Sequence, residues 1–128
     1  MVRFYIDRAP LPAIAHTTDG VALTAIGNDL GFEQLFARQV LALGQTGDVF
    51  LGLSTSGRSP NILAVCRATR ERGMTAIGFT GGKGHPIGEV CDLLVRVPSD
   101  KTPLIQQVHL AAGHIVCEIV EEALVQRA

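Results

Sequence analysis

Four hydroxyl side chains, Ser54, Thr55, Ser56 and Ser59, fall within six residues around Gly57 and Arg58, in the stretch VFLGLSTSGRSPN at 49–61. Hydroxyls at this density donate hydrogen bonds without adding fixed charge, which is the chemistry of an anion cradle. The flanks say where the cradle would sit. Val49 to Leu53 is short, apolar and bounded by turn formers, the pattern of a buried parallel strand, and Pro60 stands where proline is tolerated, in a first helical turn. The loop is therefore expected at a strand's carboxyl end and against a helix N-terminus. Helix N-termini carry unpaired N–H groups and a partial positive charge, and open parallel sheets bind ligands outside the carboxyl ends of their strands. A phosphate suits both places. A serine-rich turn with Ser59 as an ordinary N-cap gives the same local pattern.

A second group of reactive side chains lies near the C-terminus. Thr102 to Gln126 has one uninterrupted helical pattern, in which Ile105, Val108, Leu110, Ala112, Ile115, Ile119, Val120 and Leu124 supply a broad apolar face. Gln106, His109 and His114 interrupt it. At about 100° per residue, Gln106 and His114 point within about 80° of each other, with alpha carbons about 12 Å apart along the axis. Both must lean toward a common point to share work. An imidazole suits general acid–base chemistry, and a lone histidine in such a helix also reads as a core imidazole bonded to backbone.

The elements that position these groups alternate. Leu11 to Thr17 reads as a short strand after an irregular lead-in at Met1 to Pro10. Ala22 to Asp29 is a small-residue segment leading to a helix over Phe32, Leu35, Phe36, Val40 and Leu43, with Asn28 or Asp29 placed to cap it and Gly44 to stop it. After the hydroxyl loop, Ile62, Leu63, Val65, Cys66 and Ala68 give an amphipathic helix ending at Arg72, with Gly73 just beyond. Met74 to Thr80 is the next strand. GGKGHPIGEV lacks the order of a nucleotide P-loop and reads as a loop leading to a short helix, with His85 an exposed polar residue. Leu93 to Val97 is a further strand, and Pro98 to Pro103 a turn. Four strands alternating with helices predict a three-layer α/β/α sandwich around a parallel sheet.

Composition narrows the function classes. The chain has 128 residues, 47% of them apolar, enough for one domain with a real core. Its net charge of −1 and lack of a basic cluster offer no nucleic-acid groove and no match to an acidic membrane surface. No apolar run approaches a membrane span, and MVRFYIDRAP lacks the core of a signal peptide, so a cytoplasmic location is expected. Cys66, Cys91 and Cys117 each stand where a small hydrophobe is wanted and read as reduced core residues.

LGLSTSGRSPN, followed by GMTAIGFTG, resembles the phosphosugar-binding segment of the SIS (sugar isomerase) family, whose hallmark is a strand ending in S-x-S-G-x-[ST]. GNDLGFEQLFARQV at 27–40 and IQQVHLAAGHIVCEIVE at 105–121 resemble one branch of that family, the phosphoheptose isomerases. The three stretches agree in order and spacing. The resemblance implies a flavodoxin-like parallel sheet in an α/β/α sandwich and a homotetramer. It implies conversion of sedoheptulose 7-phosphate to D-glycero-D-manno-heptose 7-phosphate through an enediol. It gives Ser54, Thr55, Ser56 and Ser59 the substrate phosphate, Asn28 and Asp29 a place in the substrate pocket, and Gln106 and His114 the active site. His114 would be an acid–base group, and both would be zinc ligands. His109 is not a catalytic position in the family and is read as structural.

The family also carries an upstream helical segment, a first strand ending in G-N-G-G-S, and a helix with a histidine and a glutamate that serve the site. None of these is in this sequence, so the first strand and preceding helices are expected to be lacking and the chain to be a poor isomerase by itself. Glu118 is the nearest internal carboxylate to His114 and is read as a surface residue. The other reading is a non-catalytic SIS module, acting as a phosphosugar sensor or, like one close relative, as a regulator that binds the replication initiator.

Overall fold

A computed structural model describes residues 3–83 and 85–125. The chain forms α1 (Gly20–Asp29), a 3-10 turn (Phe32–Gln34), α2 (Ala37–Leu43), β1 (Val49–Ser54), α3 (Pro60–Glu71), β2 (Thr75–Thr80), α4 (His85–Val90), β3 (Leu93–Arg96) and α5 (Thr102–Val125). The three strands are parallel in the order β1-β2-β3, with Ser54 beside Thr80 and Thr80 beside Arg96. Strands that run the same way need crossovers, and α3 and α4 supply them.

Side chains alternate across the sheet. Phe50, Gly52 and Ser54 of β1 turn inward while Val49, Leu51 and Leu53 are exposed. On the inner face Phe50 and Ala76 join Ala37, Val40, Val65, Cys66 and Ala68 in one core cluster, so α2 and α3 cover this side. A Cβ at Gly52 would lie 3.3 Å from Ile62 Cγ2 and 3.0 Å from the Phe50 ring, so glycine lets α3 approach the strand closely. Pro60 opens α3 at its first turn, and Gly73, at φ +68°, follows its C-terminus in the left-handed conformation that glycine adopts without a Cβ penalty. On the other face Phe79 packs edge-on against His109 of α5, ring centroids 5.6 Å apart, with Ile105 buried nearby. Helices therefore lie on both sides of the sheet, the expected α/β/α sandwich, and the sequential order matches one side of a flavodoxin-like sheet.

Three local expectations are corrected. Leu11 to Thr17 is not a strand: Pro12 removes a ladder donor within it and Pro10 another just before it, and the segment is held by side chains instead. His16 Nδ1 lies 3.1 Å from Gln39 Oε1, while Gln39 Nε2 donates to the His16 carbonyl at 3.1 Å. Asn28 and Asp29 do not cap the following helix. They end α1, which starts at the Asp19 side chain, whose Oδ1 accepts from the Ala22 N–H at 2.9 Å. The next helix is split, because Gly31 at φ +89° starts a tight 3-10 turn before α2 begins. Of the cysteines, Cys66 is in the core, Cys91 is half-buried and Cys117 is exposed on α5. The His85 side chain and Gln126 lie outside the described residues.

Phe79 joins the third layer to the sheet and is 1% exposed, so Phe79→Ala should destabilise the fold by about 3–5 kcal/mol, the usual range for emptying a core aromatic site. Phe32→Ala, at a residue 69% exposed, should stay within about 0.5 kcal/mol. Urea unfolding followed by far-UV circular dichroism reads both, and equal midpoints for the two variants would contradict this account of α5.

Candidate functional site

Ser54 ends β1 and Pro60 opens α3, so residues 55–59 form the turn between a strand's carboxyl end and a helix N-terminus. Ser54 is 5% exposed and organises the turn: its Oγ accepts from the Gly57 N–H at 3.1 Å, and its carbonyl accepts from the same N–H at 3.0 Å. Gly57 has φ +63°, which only glycine takes easily. Ser59 stands at the N-cap position of α3, but its side chain does not cap the helix. Its Oγ instead lies 3.0 Å from Ser54 Oγ. The Ser59 hydroxyl thus serves the turn and is not an ordinary cap. Ser56 is exposed, with its Oγ accepting from the Arg58 N–H at 3.2 Å, and Thr55 is half-buried.

Neighbouring strands buttress this turn. The Thr55 carbonyl accepts from the Gly81 N–H at 3.1 Å, just past β2, and the Gly57 carbonyl accepts from the Ile87 N–H of α4 at 3.0 Å. A Cβ on Gly81 would come within 2.8 Å of the Thr55 carbonyl and 2.5 Å of Ile105 Cδ1, so only glycine allows the two loops and α5 to meet. Beside the turn opens a cleft of about 270 Å³, lined by Thr55, Ser56, Arg58, Lys83, Ser99, Asp100, Thr102 and Ile105. It collects the loops after all three strands and the first turn of α5. Lys83 Nζ pairs with Asp100 Oδ2 at 3.1 Å across it. The arrangement offers four hydroxyl-bearing residues, two cationic side chains and the positive end of a 24-residue helix to an anion of phosphate size.

Lys83, Ser99, Asp100 and Thr102 were not singled out by residue type or motif. Their one signal was positional, since they follow the carboxyl ends of strands adjacent to the hydroxyl loop. The other candidates stand apart from the cleft. Asn28 and Asp29 are exposed at the end of α1, with Asn28 Nδ2 donating to Asp29 Oδ1 at 2.7 Å. Gln106 is exposed one residue from Ile105, and His114 is exposed two turns further along α5 with its ring centroid 5.8 Å from that of Phe4. Glu118 is also exposed. His109 is buried against Phe79, and its Nε2 has no hydrogen-bond partner among the described residues.

Gln106 and His114, about 12 Å apart along the helix axis, do not by themselves fit a zinc centre, which usually takes four ligands. Among the described residues no group of three or more His, Cys, Asp or Glu side chains could hold a metal ion. The Phe4 contact is set by a different carboxylate. Glu121 of α5 is 2% exposed; its Oε1 accepts from the Phe4 N–H at 2.8 Å and from Arg8 Nε at 2.9 Å, while Oε2 accepts from the N–H groups of Tyr5 and Ile6. Burial pushes this carboxyl up, but the three backbone donors and Arg8 outweigh it and hold it at about 2. Residues 4–8 are thereby fastened to α5 alongside His114.

The profile of the SIS domain family matches residues 2–81. The chain is 59% identical over 122 residues to a phosphoheptose isomerase of Burkholderia pseudomallei strain 1710b, covering 95% of this chain and 62% of that protein. It is 60% identical over 124 residues to one from a Bradyrhizobium species, strain BTAi1, covering 97% and 63%. Among solved structures, a phosphoheptose isomerase from Francisella tularensis superposes with a TM-score of 0.87 at 42% identity, over 90% of this chain and 62% of that one. The chain thus spans under two thirds of the length of these relatives.

The Glu121 clamp makes a pH prediction. A carboxylate held below its ordinary value of 4.5 adds stability above that value, and the contribution is lost as pH falls toward about 2. The thermal midpoint should therefore show an acid limb between about pH 4.5 and 2 that is shallower in Glu121→Gln, and no dependence on this group between pH 5 and 7. Parallel limbs for the two proteins would mean that Glu121 is not held as described.

Proposed function

The chain belongs to the SIS domain family, and on that footing we propose that it is the phosphosugar-binding part of a phosphoheptose isomerase, acting on sedoheptulose 7-phosphate to give D-glycero-D-manno-heptose 7-phosphate. The observation that carries this reading is the convergence of Thr55, Ser56, Arg58, Lys83 and the N-terminus of α5 on one cleft at the carboxyl edge of the sheet. The similarity to phosphoheptose isomerases supports this choice of sugar.

Moving a carbonyl between adjacent carbons requires that a proton leave one carbon and return to its neighbour through an enediol. A base and an acid must flank the reacting atoms. In this reading the phosphate is held by the 54–59 turn, far from those carbons, so that its binding energy fixes the position of the sugar. The sugar runs along α5, Gln106 and His114 face its carbonyl end, and the imidazole accepts and returns the proton. Asn28 and Asp29 would accept hydrogen bonds from sugar hydroxyls after a change in their present placement. Zinc would join the site only with ligands beyond Gln106 and His114.

We further propose a homotetramer. Leu110, Ile115, Val116, Ile119 and Val120 of α5 are all exposed, and an apolar surface of this extent seldom stays bare on a soluble monomer. A second reading, a phosphosugar-binding module without turnover, is favoured by one observation, the distance of His114 from the cleft-lining residues along α5. Both readings share the phosphate site and part at the chemistry.

Calorimetric titration with sedoheptulose 7-phosphate tests the shared site. Ser56→Ala should weaken binding by about tenfold or more, as for loss of a hydrogen bond to a charged group worth about 1.5–3 kcal/mol. Unchanged affinity in both Ser56→Ala and Lys83→Met would reject it. Chromatographic detection of the aldose product then separates enzyme from sensor, since a protein that binds but does not turn over supports the second reading. Light scattering at micromolar concentration should give four times the chain mass, and a monomer mass would overturn the tetramer.

A further inference from the structure

We propose that Cys66 and Cys91 form a reversible redox dithiol, an oxidative modification site that closes to a disulfide in the presence of a hydroperoxide. Their Sγ atoms lie 3.4 Å apart although the residues are 25 positions apart in sequence. A disulfide bond is about 2.05 Å long, so closure asks each sulfur to move by roughly 0.7 Å.

The surroundings give the two sulfurs different parts. Cys66 is fully buried on α3, within the cluster formed with Phe50, Val65 and Ala76. Cys91 is half-buried directly after α4, so a small oxidant meets it first. Gly78 of β2 makes room for this sulfur, because a Cβ there would lie 2.8 Å from Cys91 Sγ. The hydrogen bond with Cys91, and after it burial, push the Cys66 thiol up and keep it protonated. The same sulfur–sulfur contact brings the Cys91 thiol down, against smaller upward pushes from burial and from Asp92 and with the smallest push, downward, from Arg70. The thiolate is the attacking form of cysteine, so Cys91 is the peroxide-reactive sulfur and Cys66 the resolving one.

The chemistry balances in two steps. The Cys91 thiolate attacks the terminal oxygen of the hydroperoxide, the O–O bond breaks, and the departing alkoxide takes up a proton to leave as an alcohol, or as water from hydrogen peroxide. Cys91 is then a sulfenic acid. Cys66 sulfur attacks the sulfenic sulfur, the S–O bond breaks, and hydroxide leaves with the Cys66 proton as water. Two thiols have lost two electrons and two protons, and one peroxide has been reduced. The new bond would join α3 to the end of α4, and α4 also holds the turn that leads into α3, where the Ile87 N–H donates to the Gly57 carbonyl at 3.0 Å.

The test uses the full chain, reduced, treated with hydrogen peroxide, then unfolded in N-ethylmaleimide and weighed. The reduced protein should take up three labels and the oxidised protein one, at Cys117, with all three restored by dithiothreitol. Peptide mapping should find Cys66 joined to Cys91. In Cys66→Ser the sulfenic acid should persist at Cys91 and be trapped by dimedone, and in Cys91→Ala the Cys66 label should survive peroxide. The second variant keeps the test decisive if the first, at a core position, does not fold. Three labels after oxidation, a dimer linked through Cys117, or Cys91 carried to sulfinic acid with Cys66 still labelled would each overturn the proposal.

Discussion

Everything at the working edge of this molecule follows from the parallel pairing of β1 with β2 and β2 with β3. Parallel neighbours cannot be joined by a hairpin, so each strand must be followed by a crossover that returns the chain to the opposite edge. All three post-strand loops are consequently delivered to one edge of the sheet. Ser54 lies beside Thr80, and Thr80 beside Arg96, which sets residues 55–59, 81–83 and 97–101 next to one another. The Gly81 N–H to Thr55 carbonyl bond, and the Gly82 N–H to Ser99 carbonyl bond at 2.9 Å, are the direct result. A cleft formed from three separate stretches of sequence is thus a consequence of strand direction, and small residues at 81 and 82 set how closely its walls approach.

The third layer depends on a contact of another kind. α5 touches the sheet chiefly through Ile105, His109 and Phe79, near its own N-terminal end, and most of its length carries exposed aliphatic side chains. Two turns beyond His114, Glu121 receives the N–H groups of three successive residues from the start of the chain. A buried carboxylate without partners would be costly, and one with three backbone donors and an arginine is fully satisfied. The helix is therefore fixed at one end by apolar packing and at the other by a charge-assisted cluster. His114 lies between the two anchors.

Much of this was legible in the sequence. The apolar run at 49–53 with its hydroxyl loop and Pro60, the strand before Gly81 and the long C-terminal helix all carry local signals, and the structure forms each of them. The family resemblance was legible as well, because it rests on short motifs in a fixed order. What could not be read depended on partners distant in sequence. Glu121 looks like any acidic residue on a helix until residues 4–8, more than a hundred positions away, are placed against it. Lys83 and Asp100 look like loop charges until the sheet brings their loops together. Leu11 to Thr17 has the apolar content of a strand, but strand formation needs a neighbour with free donors and acceptors, and prolines at 10 and 12 spoil the segment's own supply. Asn28 and Asp29 misled for a simpler reason: Asn and Asp suit helix N-caps, but here they close α1, which Asp19 opens, and α2 begins after Phe36 with no side-chain cap.

The cradle and its cation differ in how firmly they are set, and the difference bears on how an anion would be received. The turn is braced before any ligand arrives, because the Ser54 and Ser59 hydroxyls share a hydrogen bond and Gly57 is bonded through both its N–H and its carbonyl. A turn fixed in advance needs no reordering on binding, which raises affinity by lowering its entropic cost. Lys83 is the opposite case. Its pair with Asp100 is open to water, with side-chain exposures of 72% and 54%, and exposed pairs of this kind contribute at most about 1 kcal/mol. A doubly charged phosphate offers that ammonium more than a solvated carboxylate does, so Lys83 can leave Asp100 at small expense and turn to the ligand. In the proposed reading, a pre-formed turn combined with one exchangeable cation would hold a phosphate in place while the charge balance of the site adjusts as the ligand arrives and leaves.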